Sequence, residues 1–143
     1  MGRSRGGLTT KVHALVNERG LPLALRLSPG NEHDIKSAKH LLSDLKGSRQ
    51  LLADRAYDAN WTRKLIADQG AEAVIPSKRN RLKPIPYDED AYKKRNVIER
   101  FFGRIKASYR RIATRYDKLS TNYMAMLKLA CLRLWCAYNE SAA

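Results

Sequence analysis

Apolar and polar side chains alternate through residues 8 to 28. Thr10, Val12, Ala14 and Val16 share one face of an extended segment, and Leu21, Leu23, Leu25 and Leu27 share one face of a second. The residues between them read NERG, so the pattern predicts a β-hairpin closed by a short Gly-containing turn. SPGN, residues 28 to 31, punctuates the chain. Ile35, Ala38, Leu41, Leu42 and Leu45 then recur at helical spacing and stop near Gly47. QLLAD, residues 50 to 54, is a short apolar run ending in an acid. It predicts a buried strand with Asp54 at its C-terminal edge. Asn60 is placed to cap a helix that Gly70 ends, and AVIP, residues 73 to 76, predicts another short strand.

A basic, proline-containing loop spans residues 77 to 87. Asp88, Glu89 and Asp90 then load the start of a long helix with acids, as its dipole favours, and that helix is expected to run to about residue 111. A last helix, residues 121 to 139, is apolar almost all round and is expected to be buried. Residues 1 to 7 read as a flexible lead-in, residues 8 to 76 as hairpin, strands and helices, and residues 88 to 143 as C-terminal helices. The order predicts a mixed α/β layout, one layer of sheet with helices packed on it. At 143 residues the chain is one domain's worth, with enough length for a real core.

Charge changes the picture. Lys and Arg number 28 against 14 Asp and Glu, a formal net charge of +14. Residues 78 to 115 carry 13 of the basic side chains and 4 of the acidic ones, so +9 is concentrated in that stretch. Such an excess points to a polyanionic partner, nucleic acid ahead of an anionic membrane. The basic N-terminus has no apolar core after it and is no secretory signal. The most apolar stretch, residues 123 to 138, is interrupted by Lys128 and Arg133, which argues against a membrane span. Cys131 and Cys136 are too few for a structural zinc site and read as two buried free thiols in a reducing cytoplasm.

The candidate chemistry lies on the long helix. At about 100° per residue, Tyr92, Arg95, Glu99 and Lys106 fall within a wedge of about 60°. It lies beside the apolar stripe of Ile98, Phe101, Ile105 and Ile112, a position suited to a groove edge. Two readings of Glu99 stand together. It can pair with Arg95 on a solvated helix surface, or it can share a divalent cation with Asp54, whose strand end is where open α/β sheets place ligands. Asp54 can equally be a turn or capping residue.

Tyr92, Arg95, Glu99 and Lys106 reproduce Y-x2-R-x3-E-x6-K without insertion. This spacing resembles the segment around the catalytic glutamate of bacterial insertion-sequence transposases of the DDE class. LLADRAYDA, residues 51 to 59, resembles the segment carrying that family's second catalytic aspartate, which is Asp54 here. GLTTKVHALVNERGLPLALRLSPGNEHD also looks like the family's hairpin, so the resemblance covers nearly the whole chain.

The resemblance implies a ribonuclease H-like fold and metal-dependent phosphoryl transfer: strand cleavage at transposon ends and strand transfer into target DNA. It implies two Mg²⁺ (or Mn²⁺) ions held by carboxylates, with Asp54 and Glu99 as catalytic metal ligands. Tyr92, Arg95 and Lys106, with Arg100 and Arg104, are then DNA-binding residues. DNA is the partner, a homo-oligomer is expected in the active complex, and the protein is expected in the cytoplasm with the nucleoid. The family's first aspartate, on a strand preceding the hairpin, has no counterpart here. Asp34 and Asp58 are candidate substitutes, though both read as structural, and His33 beside Asp34 reads as a capping or packing residue. An upstream reading-frame product is one possible source of the missing strand. The alternative function is a non-enzymatic DNA-binding remnant of a transposase; a cationic RNA-binding domain lacks any RNA-module motif and ranks last.

Overall fold

The computed structural model describes residues 2–4, 7–43, 45–108 and 120–142. The elements are β1 (Gly2–Ser4), β2 (Gly7–Val16), β3 (Pro22–Pro29), α1 (Ile35–Leu41), β4 (Gln50–Leu52), a 3₁₀ turn (Arg55–Tyr57), α2 (Asn60–Asp68), β5 (Glu72–Val74), α3 (Glu89–Lys93), α4 (Asn96–Ser108) and α5 (Ser120–Ala142). The class is mixed α/β, as the pattern predicts.

The hairpin forms with β2 and β3 antiparallel from Thr10 opposite Pro29 to Val16 opposite Pro22. Val12 faces Leu27 and Ala14 faces Leu25, so the two apolar sets meet on one side of the ladder. Leu23 leaves that set. The register shifts between Leu15 and Val16, and Leu23 becomes the extra residue, 56% exposed. Asn17 fixes the turn by accepting at Oδ1 from the N–H groups of Arg19 and Leu21, both at 3.0 Å. Gly20 completes it at φ +76°, a conformation side chains rarely adopt.

Five other expectations need correction. Gly2–Ser4, within the supposed lead-in, pairs antiparallel with Gly7–Thr9. The sheet is two sheets: β1-β2-β3, and a separate parallel pair β4-β5. The long helix is broken between α3 and α4. The backbone N–H groups of Lys94, Arg95, Val97 and Ile98 bond to the residue three earlier, as from Arg95 N–H to Tyr92 O at 2.9 Å, which tightens the turn and shifts the helical phase. Ile112 lies outside the described residues. The helix after Asp58 is capped by the extended Ala59, not by Asn60, whose side chain accepts from Arg81 instead. Finally, α5 is not buried all round: Tyr123, Leu127, Ala130 and Cys131 are buried, whereas Leu129, Leu132 and Cys136 are exposed.

Two cores result, one on each face of the hairpin. Ala38, Leu41, Leu42, Leu45, Leu51, Ile66 and Ile75 form one, reached from the hairpin by Leu15 and Ala24. Phe101, Ile105, Tyr123, Leu127 and Ala130 form the other, reached by Val12, Ala14, Val16, Leu25 and Leu27. A hairpin packed on both faces, though only partly buried, links α4 to the core that carries β4. No described helix is long and apolar enough to cross a membrane.

Candidate active site and nucleic-acid interface

Asp54 stands just beyond β4, where the chain leaves the sheet in an extended conformation. Its Oδ1 accepts from the Ala56 N–H at 2.9 Å and caps the 3₁₀ turn. The turn-capping reading is thus observed, and it holds one carboxylate oxygen in place at the strand end. Oδ2 accepts no hydrogen bond among the described residues.

The Tyr57 hydroxyl lies behind this turn. Burial, then the charges of Asp34 and Asp54, push its pKa up to about 12, so it stays protonated. It is 3.4 Å from His13 Nδ1, while His13 Nε2 shares a 2.7 Å hydrogen bond with the buried Ser28 hydroxyl. Desolvation lowers the His13 pKa and keeps the ring neutral, with the charges of Asp34, Lys11 and Arg26 acting as smaller influences. This polar link ties the hairpin to the turn that presents Asp54. Sequence reasoning missed it; His13 stands opposite Arg26 and Ser28 opposite Lys11, a diagonal pair whose register periodicity alone does not give.

Asp34 and Asp58 have structural partners. Asp34 begins α1 and its Oδ1 accepts from Lys11 at 2.8 Å; His33 is exposed. The Asp58 side chain is fully buried, at 0% exposure. Oδ1 accepts from Arg63 and Arg81, and Oδ2 from Arg81 and the Lys78 N–H, all within 2.9 Å. Burial alone would raise its pKa, but the hydrogen bonds from Arg81, Lys78 and Arg63 hold it well below the usual carboxylate range. The basic loop is thus tied at Lys78 and Arg81 to the start of α2.

Tyr92, Arg95 and Glu99 remain together despite the helix break. The Arg95 guanidinium lies 5.8 Å from the Tyr92 ring centroid, and its Nη2 donates to Glu99 Oε1 at 3.0 Å. Glu99 is 67% exposed, so this wedge opens to solvent and does not line a groove edge as expected. Lys106 is also exposed, in the last turn of α4. Arg100 and Arg104 take a different direction, toward the hairpin turn, where Arg104 Nη2 donates to Gly20 O at 2.8 Å. Asp54 and Glu99 share no partner, and no group of three or more His, Cys, Asp or Glu suited to a metal ion forms among the described residues. Their free oxygens are nevertheless hard donors of the type Mg²⁺ and Mn²⁺ take.

A strongly basic α/β domain carrying exposed carboxylate oxygens beside arginines is the kind of surface that handles nucleic-acid phosphates. Residues 2–135 match the transposase DDE domain, and the chain belongs to that family. It is 43% identical over 129 residues to a Brucella ovis protein assigned as a transposase for insertion sequence element IS6501, covering 90% of this chain and 98% of that one. A Burkholderia cepacia protein assigned as a transposase for IS402 is 29% identical over 140 residues, covering 90% of this chain and 63% of that one. No solved structure matches the chain.

Proposed function

We propose that the chain forms most of a ribonuclease H-like catalytic domain that cleaves and joins DNA at insertion-sequence ends. Asp54 and Glu99 are its metal-binding carboxylates. The observation that carries this reading is the intact Tyr92, Arg95, Glu99 and Lys106 spacing in a chain of the transposase DDE family, with the Glu99 carboxylate open to solvent. The split into two sheets supports a third carboxylate arriving on an added strand, because β2 and β4 lie in different sheets. Asp34 and Asp58 are already committed to Lys11, Arg63 and Arg81.

Asp54 and Glu99 would hold Mg²⁺ or Mn²⁺ there, and the ion would supply Lewis-acid stabilisation of charge on the reacting phosphate oxygens. The chain's own residues prepare for that. Arg95 holds Glu99 Oε1, restricting the carboxylate while leaving Oε2 available. Its remaining guanidinium donors and Lys106 are suited to phosphates flanking the scissile bond, Arg through its planar fork and Lys as a point charge. Tyr92 braces Arg95 and offers a ring to a sugar or base. The Ala56 N–H restrains the Asp54 carboxylate through Oδ1 and leaves Oδ2 to other ligands. In the active complex more than one copy acts on the two transposon ends.

The test supplies the upstream segment, fused in frame or co-expressed, and measures Mg²⁺-dependent nicking and strand transfer on end-bearing DNA. Cleavage that Asp54→Ala or Glu99→Ala abolishes is the expected result. DNA binding without cleavage in the completed protein would favour the second reading, a DNA-binding remnant, which the net charge of +14 also suits.

A further inference from the structure

We infer that the groove between the hairpin turn and α4 is a second phosphate-binding track, which holds a nucleic-acid backbone apart from Asp54 and Glu99. The inference rests on the DNA-handling function proposed above and extends it to a separate surface. The groove has a volume of about 600 Å³, and its walls include Arg19 and Gly20 from the turn and Arg100, Gly103 and Arg104 from α4. Measured around α4 from Glu99, Arg100 and Arg104 lie at about 100° and 140°, well away from the Glu99 and Lys106 wedge.

Each arginine of the groove is braced by a neutral group. Arg104 donates to the Gly20 carbonyl at 2.8 Å. The Arg19 guanidinium lies 5.3 Å from the Tyr138 ring centroid. Arg100 leans on the Asn96 amide oxygen at 3.4 Å. None of the three forms an ion pair among the described residues, in contrast to Lys11, Arg63, Lys64, Arg81, Lys93 and Arg95. Their side chains are therefore positioned while their charge is left uncompensated. That combination favours a bound anion, since part of the ordering cost is met in the free protein. Glu18 also lines the groove, leaving a formal balance of 3 − 1 = +2 there.

Gly103 gives an independent reason. Glycine in the middle of a helix is unfavourable, and this one has no positive φ to justify it. A Cβ added at Gly103 would meet nothing within 4 Å, so internal packing does not require the glycine either. Its effect is to leave that wall of the groove open, where an extended backbone can approach closely. An acidic peptide would meet the same arginines, but a phosphodiester strand also suits a shallow cationic track on a protein of this family.

The 143-residue chain is titrated with a short fluorescein-labelled DNA duplex across a salt series, and in parallel with labelled polyglutamate. Arg100→Ala with Arg104→Ala is expected to weaken DNA binding and flatten the log K against log salt slope by about two units. Lys36→Ala with Lys39→Ala, which removes two exposed charges from α1, is the control and is expected to change the slope less. Gly103→Leu fills the groove without removing charge; it is expected to keep the circular dichroism and melting temperature of the parent while weakening DNA binding. Wild-type DNA affinity and slope in both groove variants would overturn the inference while leaving the proposed function standing. An equal loss in the α1 control would overturn it as well, by showing general charge attraction. Loss of polyglutamate binding alone would assign the groove to an acidic protein partner. No DNA binding by the parent chain would overturn both readings.

Discussion

Asp58 and Glu99 are both carboxylates set among cations, yet only one of them is available to an outside ligand. The Asp58 side chain is fully buried, and both its oxygens accept charged or backbone N–H groups at 2.9 Å or less. Glu99 is 67% exposed and takes one hydrogen bond, from Arg95 at 3.0 Å. A buried carboxylate must have its charge answered from within the protein, because water cannot do so. An exposed one on a helix face needs no such answer and keeps oxygen lone pairs in reserve. Basic neighbours in the sequence are therefore ambiguous until burial is known.

The comparison breaks most visibly at Asp58. Asp58→Ala leaves Arg63 and Arg81 without their shared acceptor and the Lys78 N–H without a partner. Removing one side of a buried ion pair typically costs about 3 to 5 kcal/mol. Urea denaturation is expected to show a loss of that order, with the basic loop becoming susceptible to proteolysis. A loss below about 1 kcal/mol would place Asp58 with ordinary surface acids.

Acid provides a weaker version of the same perturbation. The folded Asp58 pKa lies well below its ordinary value of 3.8, so the unfolded chain binds this proton first as pH falls. The stability it contributes is complete above that value and is lost as pH falls toward the folded pKa. His13 adds a contribution of the same sign at higher pH. Its folded pKa is lowered from 6.5, so stability falls as pH drops through that value toward the folded pKa. A stability profile from pH 7 to pH 2 is expected to show both losses. Asp58→Asn removes the lower one and leaves the His13 portion in place.

Much of the fold was legible because it rests on periodicity. The hairpin, the short strands and the C-terminal helices follow from spacings of two and of three to four residues. The departures arise from interactions that periodicity does not encode. The bulge at Leu23 depends on cross-strand register, and the α3–α4 break depends on a local change in backbone bonding. The division into two sheets depends on which strands pair, a long-range choice that spacing within one segment does not encode. At the candidate site, residue spacing identified Tyr92, Arg95 and Glu99 as neighbours, which the ring contact and ion pair reproduce. It did not separate Arg100 and Arg104 from that group. Their direction is set by the hairpin turn, 84 residues before Arg104 in sequence at the Gly20 contact.

The smallest expected change in stability comes from Glu99. Glu99→Gln removes an exposed i,i+4 pair with Arg95, and such pairs contribute about 0.3 to 0.5 kcal/mol. Glu99 also lies in the first turn of α4, where a negative charge adds a few tenths of a kcal/mol against the helix dipole. The combined loss is therefore expected to stay below about 1 kcal/mol. If the proposed function holds, the same substitution in the chain fused in frame to an upstream segment is expected to abolish Mg²⁺-dependent cleavage, because the amide keeps the shape but loses the anionic oxygen donor. Asp58→Ala reverses the pattern, with a large stability loss and activity recovering in proportion to the folded fraction. A Glu99→Gln protein that retains cleavage at the parent rate would reduce Glu99 to a helix-surface ion pair and remove it from the catalytic site.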